Sequence, residues 1–168
     1  MKYESTLILV GFLATTLVLG MGCKFSGQKN DCVKRLEGIA KMERQLVESA
    51  ETIDVSLRNA LMTAYADFSN FCHEADETPE FLFRRADLLR SAGYFQEAMT
   101  QLRDIHDHFK DFDKRPICAF LVGFIAEEEL NDREQARKTY EQVIELHPES
   151  RAAEWASQSI LNLDMPQD

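Results

Sequence analysis

Apolar residues recur at helical spacing along most of this chain, and their faces mark out its elements in order. In Cys32–Ala50 two adjacent stripes run side by side, Val33, Leu36, Ala40 and Val47 next to Ile39, Met42 and Leu46, with Asp31 placed to cap the first turn. A coiled-coil seam would need three or four clean heptads, and here Glu43 interrupts one register and Ser49 the other. The pattern predicts a broad amphipathic helix packed on the first hairpin, with self-association through this helix left open. Glu51–Asp54 reads as a turn. Val55–Cys72 resumes the helical pattern, with Leu57, Leu61, Ala64, Tyr65, Phe68 and Phe71 facing inward. His73–Thr78 is a polar connector leading to Pro79, a residue suited to the first turn of a helix. Two helical hairpins are expected over 79–112 and 117–150. A last helix, Glu149–Leu163, gathers Ala152, Ala156, Ile160 and Leu163 on one face, and 164–168 reads as a frayed tail.

The two hairpins are one pattern written twice. Ala86, Gly93, Phe95, Glu97, Ala98, Leu102 and Ile105 in the first are answered by Leu130, Asn131, Arg133, Glu134, Gln135, Ala136, Tyr140, Val143 and Pro148 in the second. Ala98 and Ala136 lie 38 residues apart, with a short insert around Asp113–Pro116, and Ala64 precedes Ala98 by 34. Two antiparallel helices at close range need small side chains where they cross, which Ala86 and Ala98 supply. Gly93 sits where the first helix must end in a left-handed residue. A period in this range marks a helix–turn–helix solenoid.

The spacing closely resembles the tetratricopeptide repeat, over roughly residues 54–163. Ala86, Gly93, Phe95 and Ala98 of the first unit and Ala136, Tyr140 and Pro148 of the second keep its consensus. Two positions depart from it. Asn131 stands where Gly is usual, a mild change because Asn tolerates the left-handed region. Phe124 stands where a small residue is expected, which the neighbouring Gly123 would answer through a shift of one residue. The resemblance implies an all-α fold of antiparallel hairpins stacked as a short solenoid over 55–163, with 32–54 as a flanking N-terminal helix and turn and 149–163 as a capping helix. It also implies a concave groove lined by the first helix of each repeat. By register Glu80, Phe83, Asp87 and Arg90 would project there from the first repeat, and Cys118, Leu121, Ile125 and Glu128 from the second. Members that clamp a peptide carboxylate do so with groove Lys and Asn residues; Asp87 and Ile125 hold the Asn position here, so that activity is not carried over. The remaining groove, apolar at Phe83, Leu121 and Ile125, positive at Arg90 and acidic at its rim, suits a short helix or extended segment. The other reading has these apolar residues buried by neighbouring helices.

Residues 1–22 have the layout of a secretory signal peptide: a short polar start, an uncharged run from Thr6 to Leu19, then Gly-Met-Gly. Cys23 directly after the small residues resembles the bacterial lipoprotein signal, in which that Cys is lipidated and becomes the mature N-terminus. Lys24, a non-acidic residue after it, implies in that family an outer-membrane destination. The alternative is an uncleaved anchor, since Ser5–Gly22 is near the minimum of roughly 18 residues for a span. Either way the folded part is expected outside the cytoplasm. Lys24–Asp31 reads as a linker.

The chain has 19 Lys and Arg against 29 Asp and Glu, a formal net charge of −10, which argues against nucleic acid and anionic lipid surfaces as partners. With Cys23 lipidated, Cys32, Cys72 and Cys118 remain, none at CxxC spacing, so zinc-ribbon and thioredoxin-like readings fail. Each lies on or beside an apolar stripe and is expected as a buried thiol, with pairing of any two left open. His106 and His108 stand among Asp104, Asp107, Asp111 and Asp113, but residues two apart on a helix point about 200° apart. They are read as a solvated helix end, and His147 as a cap at a helix C-terminus. There is no glycine-rich phosphate loop, HExxH or Gly-x-Ser-x-Gly. The expectation is a non-enzymatic scaffold without cofactor or metal, tethered to the envelope and binding another envelope protein through its groove. Its resemblance is to small periplasmic repeat lipoproteins, some of which act in outer-membrane assembly or envelope constriction; Pro148-Glu149-Ser150 running into Ala152, Ala153 and Ala156 is similar to the repeat junctions of the assembly type. The rival readings are a surface glycan- or nutrient-binding lipoprotein and a metal-dependent hydrolase around His106.

Overall fold

Helix starts along this chain are set by residues suited to the first turn. In the computed structural model, which describes residues 19–48 and 54–165 with side chains from Gln28 onward, Asp54 caps a helix by accepting from the backbone N–H groups of Ser56 (2.9 Å) and Leu57 (3.0 Å). Pro79 and Pro116 occupy first-turn positions where a missing N–H costs nothing. Asp132 accepts from Gln135 N at 3.0 Å, and Ser150 accepts from Ala153 N at 3.2 Å. Seven helices result among the described residues, with no strand: α1 (Leu19–Glu48), α2 (Val55–Phe71), α3 (Thr78–Ser91), α4 (Phe95–His108), α5 (Arg115–Glu128), α6 (Arg133–Leu146) and α7 (Arg151–Asp164).

The two repeat turns use the left-handed region. Gly93 has φ 83° and Asn131 has φ 51°. Beyond Gly93 the Tyr94 N–H donates to Leu89 O at 2.9 Å, closing the end of α3. Each helix packs on the next, and α5 also touches α7, giving a solenoid-like all-helical fold. Small residues sit at the crossings: Ala86, Ala98, Ala126, Ala136, Ala152 and Ala156 are all buried. The core has two parts. One, around Ile39, Leu61, Tyr65, Phe68 and Phe81, joins α1, α2 and α3. The larger, from Met62 to Leu163, runs through the remaining hairpins and includes Met99, Ile105, Val122 and Tyr140.

Several sequence expectations are corrected. The stretch 24–31, read as a linker, is a continuation of α1. It contains no Pro to stop a helix, and Gln28 Nε2 donates to Phe71 O at the end of α2 (3.2 Å). Of the two α1 stripes, Ile39 is buried and Leu36, Met42 and Leu46 pack half-buried against the same core, while Val33 and Val47 are exposed. Phe71 lies at the surface beneath Arg35, whose guanidinium carbon is 4.5 Å from the ring centroid. Cys32 and Cys72 form a disulfide between α1 and the end of α2, whereas Cys118 is a free, buried thiol. Among the described residues no helix is long and apolar enough to cross a membrane. Of the signal peptide expected over 1–22, residues 1–18 lie outside the described residues, as do 49–50 of the expected first helix, 51–53 of the expected turn and 166–168 of the tail.

Candidate partner-binding groove

Helices α3 and α5 lead the two repeats and carry the residues expected to line the groove. On α3, Glu80 accepts from Arg84 Nε one turn on (2.9 Å) and from Lys114 Nζ just before α5 (2.7 Å). Arg84 Nη1 also reaches Glu43 Oε1 of α1 at 2.6 Å, and Tyr65 Oη donates to that same oxygen at 2.6 Å. A chain of ion pairs therefore runs from α1 across α3 to the start of α5. Burial alone would push the Glu80 carboxyl up, but the hydrogen bonds from Lys114 and Arg84 outweigh it and hold it below the usual carboxylate range. Phe83 is half-buried, edge-on to Phe112 at 6.3 Å and with Lys114 Nζ 4.9 Å from its centroid. Asp87 is exposed, and Arg90 bridges it to Glu129 at the end of α5, both at 3.4 Å.

On α5 the register differs from expectation. Leu121 is half-buried and Glu128 exposed, but Cys118 and Ile125 have no exposed surface and cannot meet a partner. The cause is Gly123. It is buried, and a Cβ built on it would lie 2.7 Å from Tyr140 Cε1, so Gly123 is the close-contact position that Phe124 was expected to hold. Shifting that position by one residue turns α5 by about 100° about its axis. Cys118 and Ile125 rotate into the core, while Phe120 and Phe124 come to the half-buried side. Burial pushes the Cys118 thiol up to about 12, which removes it as a nucleophile.

Aromatic residues that were not assigned to the groove build the rest of the surface. Phe120 stacks on Tyr140 at 5.5 Å and meets Phe124 at 6.3 Å and Trp155 of α7 at 5.6 Å. Trp155 is 37 % exposed, with the Arg151 guanidinium carbon 5.4 Å from its ring. Trp155 thus packs on one side and faces solvent on the other. Tyr140 donates to Glu127 Oε2 at 2.7 Å, and burial followed by this bond raises its phenol pKa well above the ordinary value. The signal for Phe120 and Phe124 was present in the sequence, since both follow from Gly123 once the register is shifted. Arg84 and Lys114 carried no such signal.

Residues 119–150 match the family model described as a tetratricopeptide repeat. The match supports a tetratricopeptide-repeat protein. The matched span falls on the second repeat, α5 and α6, which is the unit with Gly123 in the shifted register. No curated protein matches the chain. Tetratricopeptide repeats generally mediate protein–protein interaction.

The histidines fall outside this surface. His108 is exposed, its Nδ1 donating to Asp104 O (2.9 Å) within α4. His106 points away from it and meets His147 across the hairpin junction, with Nε2 atoms 3.0 Å apart. His147 does end α6, but burial, His106 and Arg115 lower its pKa, so the charged cap read from the helix dipole is overridden. Among the described residues no group of three or more His, Cys, Asp or Glu side chains could hold a metal ion.

Proposed function

We propose that this chain is a non-enzymatic scaffold, tethered to a membrane by lipid on Cys23, that binds a segment of another envelope protein on the exposed side of α3, α5 and α7. The observation that carries the reading is the aromatic row of half-buried Phe120 and Phe124 and exposed Trp155, on helices that also carry charge at Glu128 and at Arg151, which lies over the Trp155 ring. Apolar anchors beside a polar rim suit a docked helix or extended segment. The Cys32–Cys72 bond supports an extracytoplasmic site, because disulfides persist in oxidising compartments and are rare in the cytosol. With the Gly-Met-Gly-Cys23 signal and Lys24 it favours the outer membrane, and the role proposed is in its assembly or maintenance.

The test is crosslinking and co-purification from intact envelopes, comparing the native chain with a Phe124→Asp, Trp155→Ser variant whose helicity is verified by circular dichroism. One protein captured by the native chain and lost by the folded variant is the expected result. Capture that survives the variant overturns the groove, and binding of glycans in place of protein overturns the scaffold reading. For the tether, Cys23→Ser is expected to abolish labelling by a fatty-acid analogue and move the chain out of the membrane fraction. Retention of the Cys23→Ser chain in membranes would favour an uncleaved anchor.

A further inference from the structure

Folding brings His106 of α4 against His147 at the end of α6, 41 residues away in sequence. Their Nε2 atoms are 3.0 Å apart, and the rings cross nearly at right angles, 87°, with centroids at 5.2 Å. The proton positions follow from the surrounding contacts. His106 Nδ1 lies 2.9 Å from Asp107 Oδ1, and an ionised carboxylate can only accept, so that nitrogen carries a hydrogen. In the neutral ring Nε2 of His106 is then the acceptor, and Nε2 of His147 is the donor. One added proton leaves this bond intact. A second puts two N–H groups head to head at 3.0 Å, where no hydrogen bond is possible.

The surroundings of His147 disfavour its protonation. His106 is largely covered, with 13 % of its side chain exposed, and Arg115 of α5 donates through Nε to the His106 carbonyl at 2.8 Å. Arg103 of α4 adds a second positive charge at the same junction, opposed by Asp107 of α4 and by Glu145 of α6. Burial, His106 and Arg115 all lower the His147 pKa. Beside the pair a cavity of about 380 Å³ lies between α4, α5 and α6, with Val122 and Val143 in its wall.

We propose that the His106–His147 pair is an acid-operated latch between the two repeats: with at most one proton it holds the end of α6 on α4, and with two it releases that end and opens the adjoining cavity. The sign follows from linkage. A histidine whose folded pKa lies below its unfolded value contributes stability above about pH 6.5 that is lost as pH falls, because the unfolded chain binds the proton more readily.

The test uses the full chain in detergent, native and with His147→Gln, which keeps an amide donor but cannot titrate; His108→Gln is the control for an exposed histidine. Thermal midpoints at pH 7.5 and pH 5.0 are compared, with amide hydrogen exchange over residues 143–150. The native chain and the His108→Gln control are expected to lose roughly 2–4 °C more than His147→Gln on acidification, a shift of the size about 1 kcal/mol gives a chain of this length. Exchange over 143–150, corrected for its intrinsic pH dependence, is expected to accelerate at pH 5.0 only where both histidines are present. An equal loss in all three chains, or unchanged exchange in the native one, overturns the latch. Should His147→Gln fail to fold, NMR titration of the ring Cε1 protons in the native chain decides. Linked titration with the second step well below about 6.5 supports the latch, and two independent titrations near that value overturn it.

Discussion

Gly123 decides which side of α5 faces solvent, and it does so through a single contact. A Cβ there would meet Tyr140 Cε1 at 2.7 Å and Cδ1 at 2.8 Å. Tyr140 cannot easily retreat, being fully buried, stacked on Phe120 at 5.5 Å and bonded to Glu127. Gly123→Ala is therefore expected to cost about 1–3 kcal/mol through overpacking, read as a lower midpoint in urea unfolding. Gly38 in α1 has no atom within 4 Å of the corresponding position. Gly38→Ala should thus be neutral or stabilise by about 0.5–1 kcal/mol, since glycine inside a helix carries an entropic cost. Equal effects at the two glycines would mean that Tyr140 is not a fixed wall. The residue pattern contained this contact, because Gly123 precedes Phe124, which stands at a small-residue position of the repeat. The burial of Ile125 and Cys118 was legible only after the shift, since either register presents apolar residues at the groove spacing.

At the scale of elements, helical periodicity located α2 to α7 well, and the left-handed turns at Gly93 and Asn131 followed from residue type. Pairing between elements was less legible. Cys32 and Cys72 each lie on an apolar stripe that looks the same for a buried thiol and a bridged one; what joins them is the packing of α1 along α2, which sequence spacing does not encode. The bond closes a 40-residue separation, for which the chain-entropy estimate is about 4 kcal/mol. A Cys32→Ser, Cys72→Ser chain is expected to lose roughly 2–4 kcal/mol in urea unfolding, with hydrogen exchange rising first in α1. Identical curves for the oxidised native chain and this variant would show that α1 is held by its apolar contacts alone. The ion pairs from α1 to α5 were likewise hidden, because Glu43, Arg84 and Lys114 read as ordinary solvated positions until three helices bring them together.

For the molecule as a whole, that ion-pair chain runs from the N-terminal core to the repeat core along the exposed side, beside apolar contacts through Met62 and Leu88. Phe81 belongs to the first core and Phe83 packs against the second, while Glu80, one residue before Phe81, joins Arg84 to Lys114. The Glu80 carboxyl sits below its ordinary value of 4.5 despite burial, because two cations donate to it. A carboxylate with a depressed folded pKa contributes stability above the unfolded value, and that contribution disappears as pH falls through the folded one. The chain also carries a net charge of −10 at pH 7, so acidification first relieves repulsion across the surface. The two effects oppose each other, and a substitution separates them. Glu80→Gln keeps the shape and removes the charge, so it lowers stability at pH 7 while barely altering the overall charge balance. Between pH 6 and pH 3 the gap between native and Glu80→Gln chains is expected to shrink toward zero, with most of the change below about pH 4.5, as measured by urea midpoints at each pH. Raising salt at pH 7 should narrow the gap only in part, because Glu80 is mostly covered and screening acts weakly on buried pairs. A gap that stays constant with pH would mean that Glu80 acts by packing and that the two cores are joined by apolar contacts, with the ions contributing nothing to their alignment.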